Sequence, residues 1–589
     1  MTYRAPVAEM AFTLRHVAGL DRAIAEGLHG DLTPDLVDTI LEEAGRFAND
    51  VVAPLNRVGD THGTPLRDGA ITMPPGFREA YHAWVEGGWN ALPGPVEYGG
   101  QGLPAALNAA CVEMWNAASM SFGLGPLLTA GGVEALSRHG APELRERYLE
   151  KLVSGEWTAT MNLTEPQAGS DLSALRSRAE PVGDGSYRIQ GEKIYITWGE
   201  HDLTDNIVHL VLARLPGAPA GTRGISLFLV PKVLPDGSRN ALRCAGIEHK
   251  LGIHGSPTCT MVYEGATGWL IGEENRGLAC MFTMMNSARL NVGLQGVAIA
   301  DRAYQQALSY ARDRRQGRAA AGAEGMSPIL AHPDVQRMLL TMKALTAASR
   351  GLCYLTAAEI DRGHRAPDEA GRKAALDRAS LLTPVAKAFS TDIGIEVASI
   401  GIQVHGGMGF VEETGAAQHL RDARIAAIYE GTNGIQAIDL VTRKLPLQGG
   451  AVVRGQVAAL RRTAERLLRE GTPALGLAAP RLRACVESLD RATGFLLKAL
   501  GSNRPEEALA GATPYLRLFG LAQGGAALAE LALASGAALA AGDTDPAHAG
   551  RIALARFYAE NLLTAAAGLE ETVMAGGGFL QDADLALAS

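Results

Sequence analysis

Cysteine is scarce in this 589-residue chain. Its six residues, at positions 111, 244, 259, 280, 353 and 485, form no CxxC pair and no metal-ligand spacing. That argues against a disulfide scaffold or a zinc module and reads as reduced thiols in a reducing compartment. Excess positive charge is also missing: the formal net charge is −9, which speaks against nucleic-acid binding. Long uninterrupted apolar runs are absent too. The nearest, 520–542, is broken by Gln523 and Glu530 and is rich in alanine, a weak lipid residue. It reads as a buried bundle helix, not a membrane span. Residues 1–6 lack the basic-then-apolar pattern of a signal peptide, so the expectation is a cytoplasmic protein.

What is present is an ordinary globular composition, 47% hydrophobic and 20% charged. The length calls for roughly three to five folding units. Up to about residue 155 the pattern is helical. Asp31-Leu32-Thr33-Pro34 offers an N-cap followed by proline, and Leu36, Ile40, Leu41 and Phe47 recur at helical spacing. After Trp157 the period drops to two. Residues 187–196 alternate behind a Gly183-Asp184-Gly185 hairpin signal, and 207–213, 224–230 and 258–263 are further strand candidates. Several short strands predict a small barrel or sandwich. Helices return at 288–312, 332–362 and 372–402, with a loop at 317–325. The last ~140 residues, heavy in Ala, Leu and Arg, predict an appended helical bundle. Gly471, Gly501 and Gly542 stop its helices, Pro480 and Pro546 restart them, and Leu460, Leu467, Leu468, Leu496 and Leu497 require burial.

Five stretches carry candidate chemistry. In Met161-Asn162-Leu163-Thr164-Glu165-Pro166-Gln167-Ala168-Gly169-Ser170-Asp171, hydroxyls and bare backbone N–H groups share one loop that suits a ring edge or a phosphate. It also suits a plain interdomain turn. Tyr195-Ile196-Thr197-Trp198 ends a strand with two aromatics around a threonine, either a cover for a flat cofactor or core aromatics. Asp313-Arg314-Arg315-Gln316-Gly317-Arg318 is a phosphate clamp or a solvated basic patch. In Gln403-Val404-His405-Gly406-Gly407 the glycines permit close backbone approach to a ligand, while His405 reads as structural. Last, Glu430 follows an apolar run and precedes Gly431-Thr432-Asn433-Gly434. An ionisable group there is poised for proton transfer, or is a surface glutamate beside a helix N-cap.

In this order and at these separations, the stretches resemble the acyl-CoA dehydrogenase family of flavoproteins, over roughly residues 31–445. The resemblance implies an α+β multidomain fold: an N-terminal helical domain (1–157), a central β-barrel domain (158–280), a C-terminal four-helix domain (281–445) and the helical extension (446–589). It implies FAD as cofactor, an acyl-CoA substrate, and dehydrogenation to the trans-2-enoyl-CoA. Glu430 matches the catalytic base. Some subfamilies carry that base just before an arginine, here Ala288-Arg289, where alanine cannot serve. Met161, Leu163, Thr164, Gly169, Ser170, Tyr195, Ile196, Thr197, Thr432 and Asn433 match cofactor contacts, with the Thr197 hydroxyl facing flavin N5. Arg314, Gln403, Gly406 and Gly407 match contacts made across a homodimer interface. Ser170, Asn286, Arg289 and Gly431 match substrate-side positions, and electron-transfer flavoprotein is the implied acceptor.

Departures are Asn162 for a small residue or Cys, Tyr195 for Trp or Phe, and Gly317 with a longer loop where a Phe is usual. The extension, with segments 31–34, 252–258 and 315–318, leans towards the bacterial 3-methylthiopropanoyl-CoA dehydrogenase subgroup rather than the long-chain enzymes. An acyl-CoA oxidase and a flavin-free acyl-CoA-binding or structural relative are the competing readings. Retention of Glu430, Thr197 and Ser170 together argues against the flavin-free one.

Overall fold

The computed structural model describes residues 3–319, 325–502 and 504–588. Eight helices lead: α1 (Val7–Thr13), α2 (Leu20–Ala25), α3 (Pro34–Phe47), α4 (Leu55–His62), α5 (Phe77–Glu86), α6 (Ala105–Ala118), α7 (Met120–His139) and α8 (Pro142–Ser154). Thr33 caps α3 as expected, its hydroxyl accepting from the Leu36 N–H at 3.2 Å, with Pro34 in the first turn. The apolar stripe of α3 differs from the expected one. Val37, Leu41 and Ala44 face the core, whereas Leu36, in the first turn, is exposed. A ribbon of two residues a strand, β1 (Leu66–Arg67) and β2 (Ala70–Ile71), sits among these helices.

The middle of the chain forms one seven-stranded sheet: β3 (Thr158–Asn162), β4 (Arg178–Pro181), β5 (Tyr187–Thr197), β6 (Ile207–Ala213), β7 (Ser226–Pro231), β8 (Leu242–Ile247) and β9 (Thr258–Ile271). Its order is β3-β6-β7-β9-β5-β4, with β8 also on β9. A bridge from Arg178 to Arg214 joins β4 to the end of β6, so the sheet curls back on itself. The hairpin at residues 183–185 is present between β4 and β5. β3, β4 and β8 were not expected. Each has at most six residues, and β3 is buried throughout, so it shows no alternation. The strand expected at 258–263 runs on to Ile271, and the one expected from 224 starts at Ser226 because Gly224 closes a 3₁₀ turn.

Three long helices follow: α9 (Gly277–Asp313), α10 (Pro333–Arg365) and α11 (Glu369–His405), then α12 (Ala416–Ala423) and α13 (Asn433–Asp439). α9 and α11 meet across glycines. A Cβ on Gly296 would lie 2.2 Å from the Ser390 carbonyl oxygen, and one on Gly293 2.8 Å from that of Ala386. From this contact Lys387 of α11 and, about a turn back along α9, Arg289 both act on Glu430. Segment 252–258 is an interdomain clamp. Asp60 receives a bidentate pair from Arg421 (2.8 and 2.6 Å) and an ion pair from His254 (3.0 Å), and Asp422 accepts from the Ile253 N–H.

The extension comprises α14 (Ala451–Glu470), α15 (Ala478–Gly501), α16 (Pro505–Ala510), α17 (Ala512–Ala540), α18 (Pro546–Asn561), α19 (Ala566–Met574) and α20 (Ala583–Leu587). It packs on the preceding helices of the same chain: α17 lies on α10, α11 and α13. A Cβ on Gly520 would lie 2.2 Å from the Phe389 ring, and Arg517 bonds Glu396 at 2.8 Å. α17 is long and apolar enough to cross a membrane, but 83% of its apolar window is buried in the protein and Glu530 pairs with Arg466. Leu460, Leu467 and Leu496 are buried, Leu497 partly; Leu468, expected inside, points outward on the polar side of α14.

Two outcomes test this packing. Gly296→Ala must push α9 from α11, and such overpacking costs about 1–3 kcal/mol, read by chemical denaturation. Truncation after Leu445 uncovers Phe389, Ala348 and the outer face of α13, so the shortened protein should aggregate on expression. A soluble truncation of full stability contradicts the packing.

Candidate active site

Glu430 lies in the turn between a 3₁₀ segment (Arg424–Ala427) and α13. Its φ of +55° and that of Gly431, +83°, put two successive residues in the left-handed region. A non-glycine residue there costs of order 1–3 kcal/mol and persists only where its surroundings enforce it. They do so from three sides. The Thr432 hydroxyl caps α13 by accepting from the Ile435 N–H (3.2 Å). Gln436 Nε2 donates to the Glu430 and Gly431 carbonyls at 3.3 and 3.2 Å. Lys387 Nζ donates to the Gly431 carbonyl at 2.9 Å and to Asn433 Oδ1 at 2.8 Å.

The Glu430 carboxylate itself has no hydrogen-bond or ion-pair partner among the described residues, and its own N–H is likewise unengaged. The residue is partly accessible yet closely surrounded by protein. Burial pushes its pKa up, against the lowering pull of the Arg289 and Lys387 cations. Arg289 is held down by burial, and its buried Nε has no partner. A desolvated, unpaired carboxylate is a stronger base than one in water, as proton abstraction demands. Next to it the Tyr429 hydroxyl donates to Gln295, whose amide donates to Asn116 of α6 at 3.2 Å, tying the turn to the N-terminal helices.

The barrel contributes the loop after β3. Glu165 organises it. Its carboxylate accepts from Lys193 Nζ (2.8 Å), the Ser177 hydroxyl (2.6 Å) and the N–H groups of Arg176 and Ser177 (2.7 and 3.0 Å). Burial pushes its pKa up, but the Lys193 ammonium and these bonds win and hold it at about 2. The Ile194 N–H donates to the Thr164 carbonyl at 2.9 Å, fixing the loop to β5. On this frame the hydroxyls of Thr164, Ser170 and Thr197 have no partner among the described residues. Gly169 is exposed, Leu163 half-buried, and Tyr195 is 60% exposed with φ +60°. An exposed ring, unpaired hydroxyls and a bare loop backbone fit a flat heteroaromatic cofactor with a phosphate tail, the character of FAD.

Not every expected residue presents its side chain. Those of Met161 and Ile196 are buried in the barrel, leaving backbone only. Trp198 is core, not a cofactor cover: it packs against Gly125 and its Nε1 donates to Ser256 at 3.1 Å. Asn162 is spent inside the barrel on Tyr263, 2.8 Å away. Asn433 is spent on Lys387, Thr391 and Asp392, and Thr432 on its cap. The Asn286 side chain and residues 320–324 of the expected loop lie outside the described residues.

Arg314, Gln403, Gly406 and Gly407 form a second, exposed group at the far ends of α9 and α11. At 1.5 Å per residue, Arg314 stands about 38 Å along α9 from Arg289, and Gln403 about 24 Å along α11 from Lys387. Within one chain they do not join Glu430. Phe410, 89% exposed, and Met408 lie beside them. His405 is structural as expected, bonded to the Gly401 carbonyl (2.7 Å) and stacked on Tyr310. Sequence reasoning missed Lys387, Gln295, Gln436 and Lys193. The available signal is a polar residue within an apolar helix stretch for Lys387 and Gln295, and a charge on the inward register of an alternating strand for Lys193. Glu165→Ala would leave the fully buried Lys193 without a counter-charge, a loss of about 3–5 kcal/mol in unfolding free energy by chemical denaturation.

With this geometry, comparison with known proteins is informative. Family models match in succession: the acyl-CoA dehydrogenase N-terminal domain at residues 36–156, its middle domain at 160–266, its C-terminal domain at 275–445, and an acetyl-CoA dehydrogenase C-terminal-like domain at 455–584. A 3-methylmercaptopropionyl-CoA dehydrogenase of Ruegeria pomeroyi is 48% identical over 569 residues, 96% of each chain. A broad-specificity linear acyl-CoA dehydrogenase, FadE5 of Mycobacterium tuberculosis, is 33% identical over 613 residues, 97% of each. A solved acyl-CoA dehydrogenase of Bacillus anthracis, complexed with FAD, shares the fold with a TM-score of 0.75 at 23% identity, covering 93% of this chain and 89% of its own. The chain belongs to the acyl-CoA dehydrogenase family.

Proposed function

We propose that this flavoprotein oxidises a short acyl-CoA thioester, 3-methylthiopropanoyl-CoA foremost, to its trans-2-enoyl-CoA, with Glu430 as the base that removes the α-proton. The observation that carries the assignment is the unpaired, desolvated Glu430 carboxylate on its braced left-handed turn. The substrate rests on 48% identity across the full length to the Ruegeria pomeroyi enzyme of that name.

A thioester α-proton is very weakly acidic, so the enolate-like charge on the carbonyl oxygen needs a donor in place before the proton leaves. The unengaged Glu430 N–H is that donor. Glu430 accepts the α-proton, and Arg289 and Lys387 keep enough positive potential nearby for the carboxylate to be ionised beforehand. Bound FAD supplies the hydride acceptor for Cβ. Thr164, Ser170, Tyr195 and Thr197 hold the flavin, with the backbone of Met161, Leu163, Gly169, Ile196, Thr432 and Asn433. Gly431 and Ser170 border the substrate with Arg289, and Asn286 is assigned there by position alone.

Arg314, Gln403, Gly406 and Gly407 stand too far along their helices to serve the same chain's flavin. We assign them to the nucleotide end of a neighbour's FAD in a homodimer, with Met408 and Phe410 in the interface. Electrons leave to an electron-transfer flavoprotein. The compartment is the cytoplasm, in keeping with six buried free cysteines.

Glu430→Gln keeps shape and hydrogen bonding but cannot take the proton. Its kcat should fall about 10²–10⁴-fold with FAD content unchanged, measured as anaerobic flavin bleaching. Retained bleaching at the wild-type rate places the base elsewhere. In the wild type, protonation of Glu430 abolishes the base. Its raised pKa therefore sets an acid limb in kcat/KM above the ordinary glutamate value of about 4.3. Arg314→Ala should lower flavin content and dimer mass together; flavin loss in an intact dimer returns Arg314 to its own subunit's site.

A further inference from the structure

Lys387 has no exposed surface and no carboxylate within ion-pair distance among the described residues. A buried cation without a counter-ion is costly, and a helix interior at this position would be more stable with an apolar residue. What it touches is specific. Its two short bonds go to the Gly431 carbonyl and to Asn433 Oδ1, one and three residues beyond Glu430. Asn433 in turn donates to Asp392 Oδ1 at 2.7 Å, one turn further along α11.

We propose that Lys387 is the positioning residue of the catalytic base: from α11 its ammonium grips the Glu430-Gly431 turn and fixes where the carboxylate points. This rests on the assignment of Glu430 as the base. The left-handed φ of Glu430 is what needs fixing. Thr432 and Gln436 brace the turn from within α13, and Lys387 alone anchors its carbonyl to a separate long helix. The charged groups around the pair are Arg289 on α9, Asp392 and Glu396 on α11, and Arg517 on α17. Of these only Arg289 joins Lys387 in favouring Glu430 ionisation. Burial pushes Lys387 itself down to about 7, so below that pH it is cationic beside Glu430. Removing that cation disfavours the carboxylate, and the acid limb must then move to higher pH. The extension joins this support: burial pushes up the pKa of Asp392, the partner of Asn433, and Arg517, which binds Glu396, pulls against that rise.

The test is the pH profile of kcat/KM, with the plateau kcat read alongside, for the FAD-loaded enzyme with Lys387→Gln, Lys387→Arg and Lys387→Met, with Glu430→Gln as control. Lys387→Gln keeps a donor but no charge. It should shift the acid limb up by about half a pH unit or more and lower the plateau kcat roughly ten- to a hundredfold. KM and flavin content should change little. Lys387→Arg should keep the limb at its wild-type pH while losing plateau rate through altered geometry. If Lys387→Met fails to fold, the glutamine and arginine variants carry the test unaided. A Lys387→Gln limb coincident with wild type, or a loss confined to thermal stability, overturns the proposal. Full activity in Glu430→Gln would overturn the assignment of the base instead.

Discussion

Taking an ionised carboxylate out of water without a partner costs several kcal/mol, and proteins normally avoid it by pairing or protonating the group. At Glu430 that cost is accepted, and much of the surrounding structure can be read as what makes it bearable. Two cations stand close enough to favour ionisation, yet neither bonds the carboxylate. The left-handed turn holds it just ahead of α13. A hydrogen-bonded row through Tyr429, Gln295 and Asn116 ties that turn to the N-terminal helices. Loosening any of these lets the carboxylate find a partner or fill with water, and either outcome weakens it as a base.

The large-scale packing serves the same point. α9 and α11 approach over glycines, so Arg289 and Lys387 face one turn from two helices. The barrel loop is pinned by the buried Glu165–Lys193 pair, which frees Thr164, Ser170 and Thr197 from any duty within the protein. The extension, which carries no catalytic constellation, covers α11 and α13 from behind. Its α17 turns an apolar face that would otherwise meet solvent into the outer wall of the catalytic domain. It thereby packs directly on the two helices that carry Lys387 and Asn433.

Much of this was legible in the sequence, for identifiable reasons. The helical and alternating periods were strong in α3, α9, α10, α11 and β5, and β6, buried throughout, showed as a continuous apolar run of seven residues around one histidine. Glu430, Thr164, Ser170 and Thr197 stood out because polar residues beside glycine breaks are conspicuous. β3 and β8 escaped because they are short, and β3 because it is buried on both faces. Leu36 and Leu468 were misplaced because helical spacing tolerates an apolar residue one position off the buried stripe. Lys387 and Gln295 were invisible for a deeper reason: a polar side chain inside an apolar helix shows its meaning only when another element, 44 to 179 residues away here, supplies the partner.

The central claim is that Glu430 removes the α-proton, a step separable from oxidation. Incubating the enzyme in D₂O with a 3-thia-acyl-CoA, whose Cβ is replaced by sulfur and cannot surrender hydride, isolates it. The account predicts that the wild type exchanges the α-protons for deuterium, seen by mass spectrometry, and that Glu430→Gln does not. Exchange by the glutamine variant at the wild-type rate would contradict it.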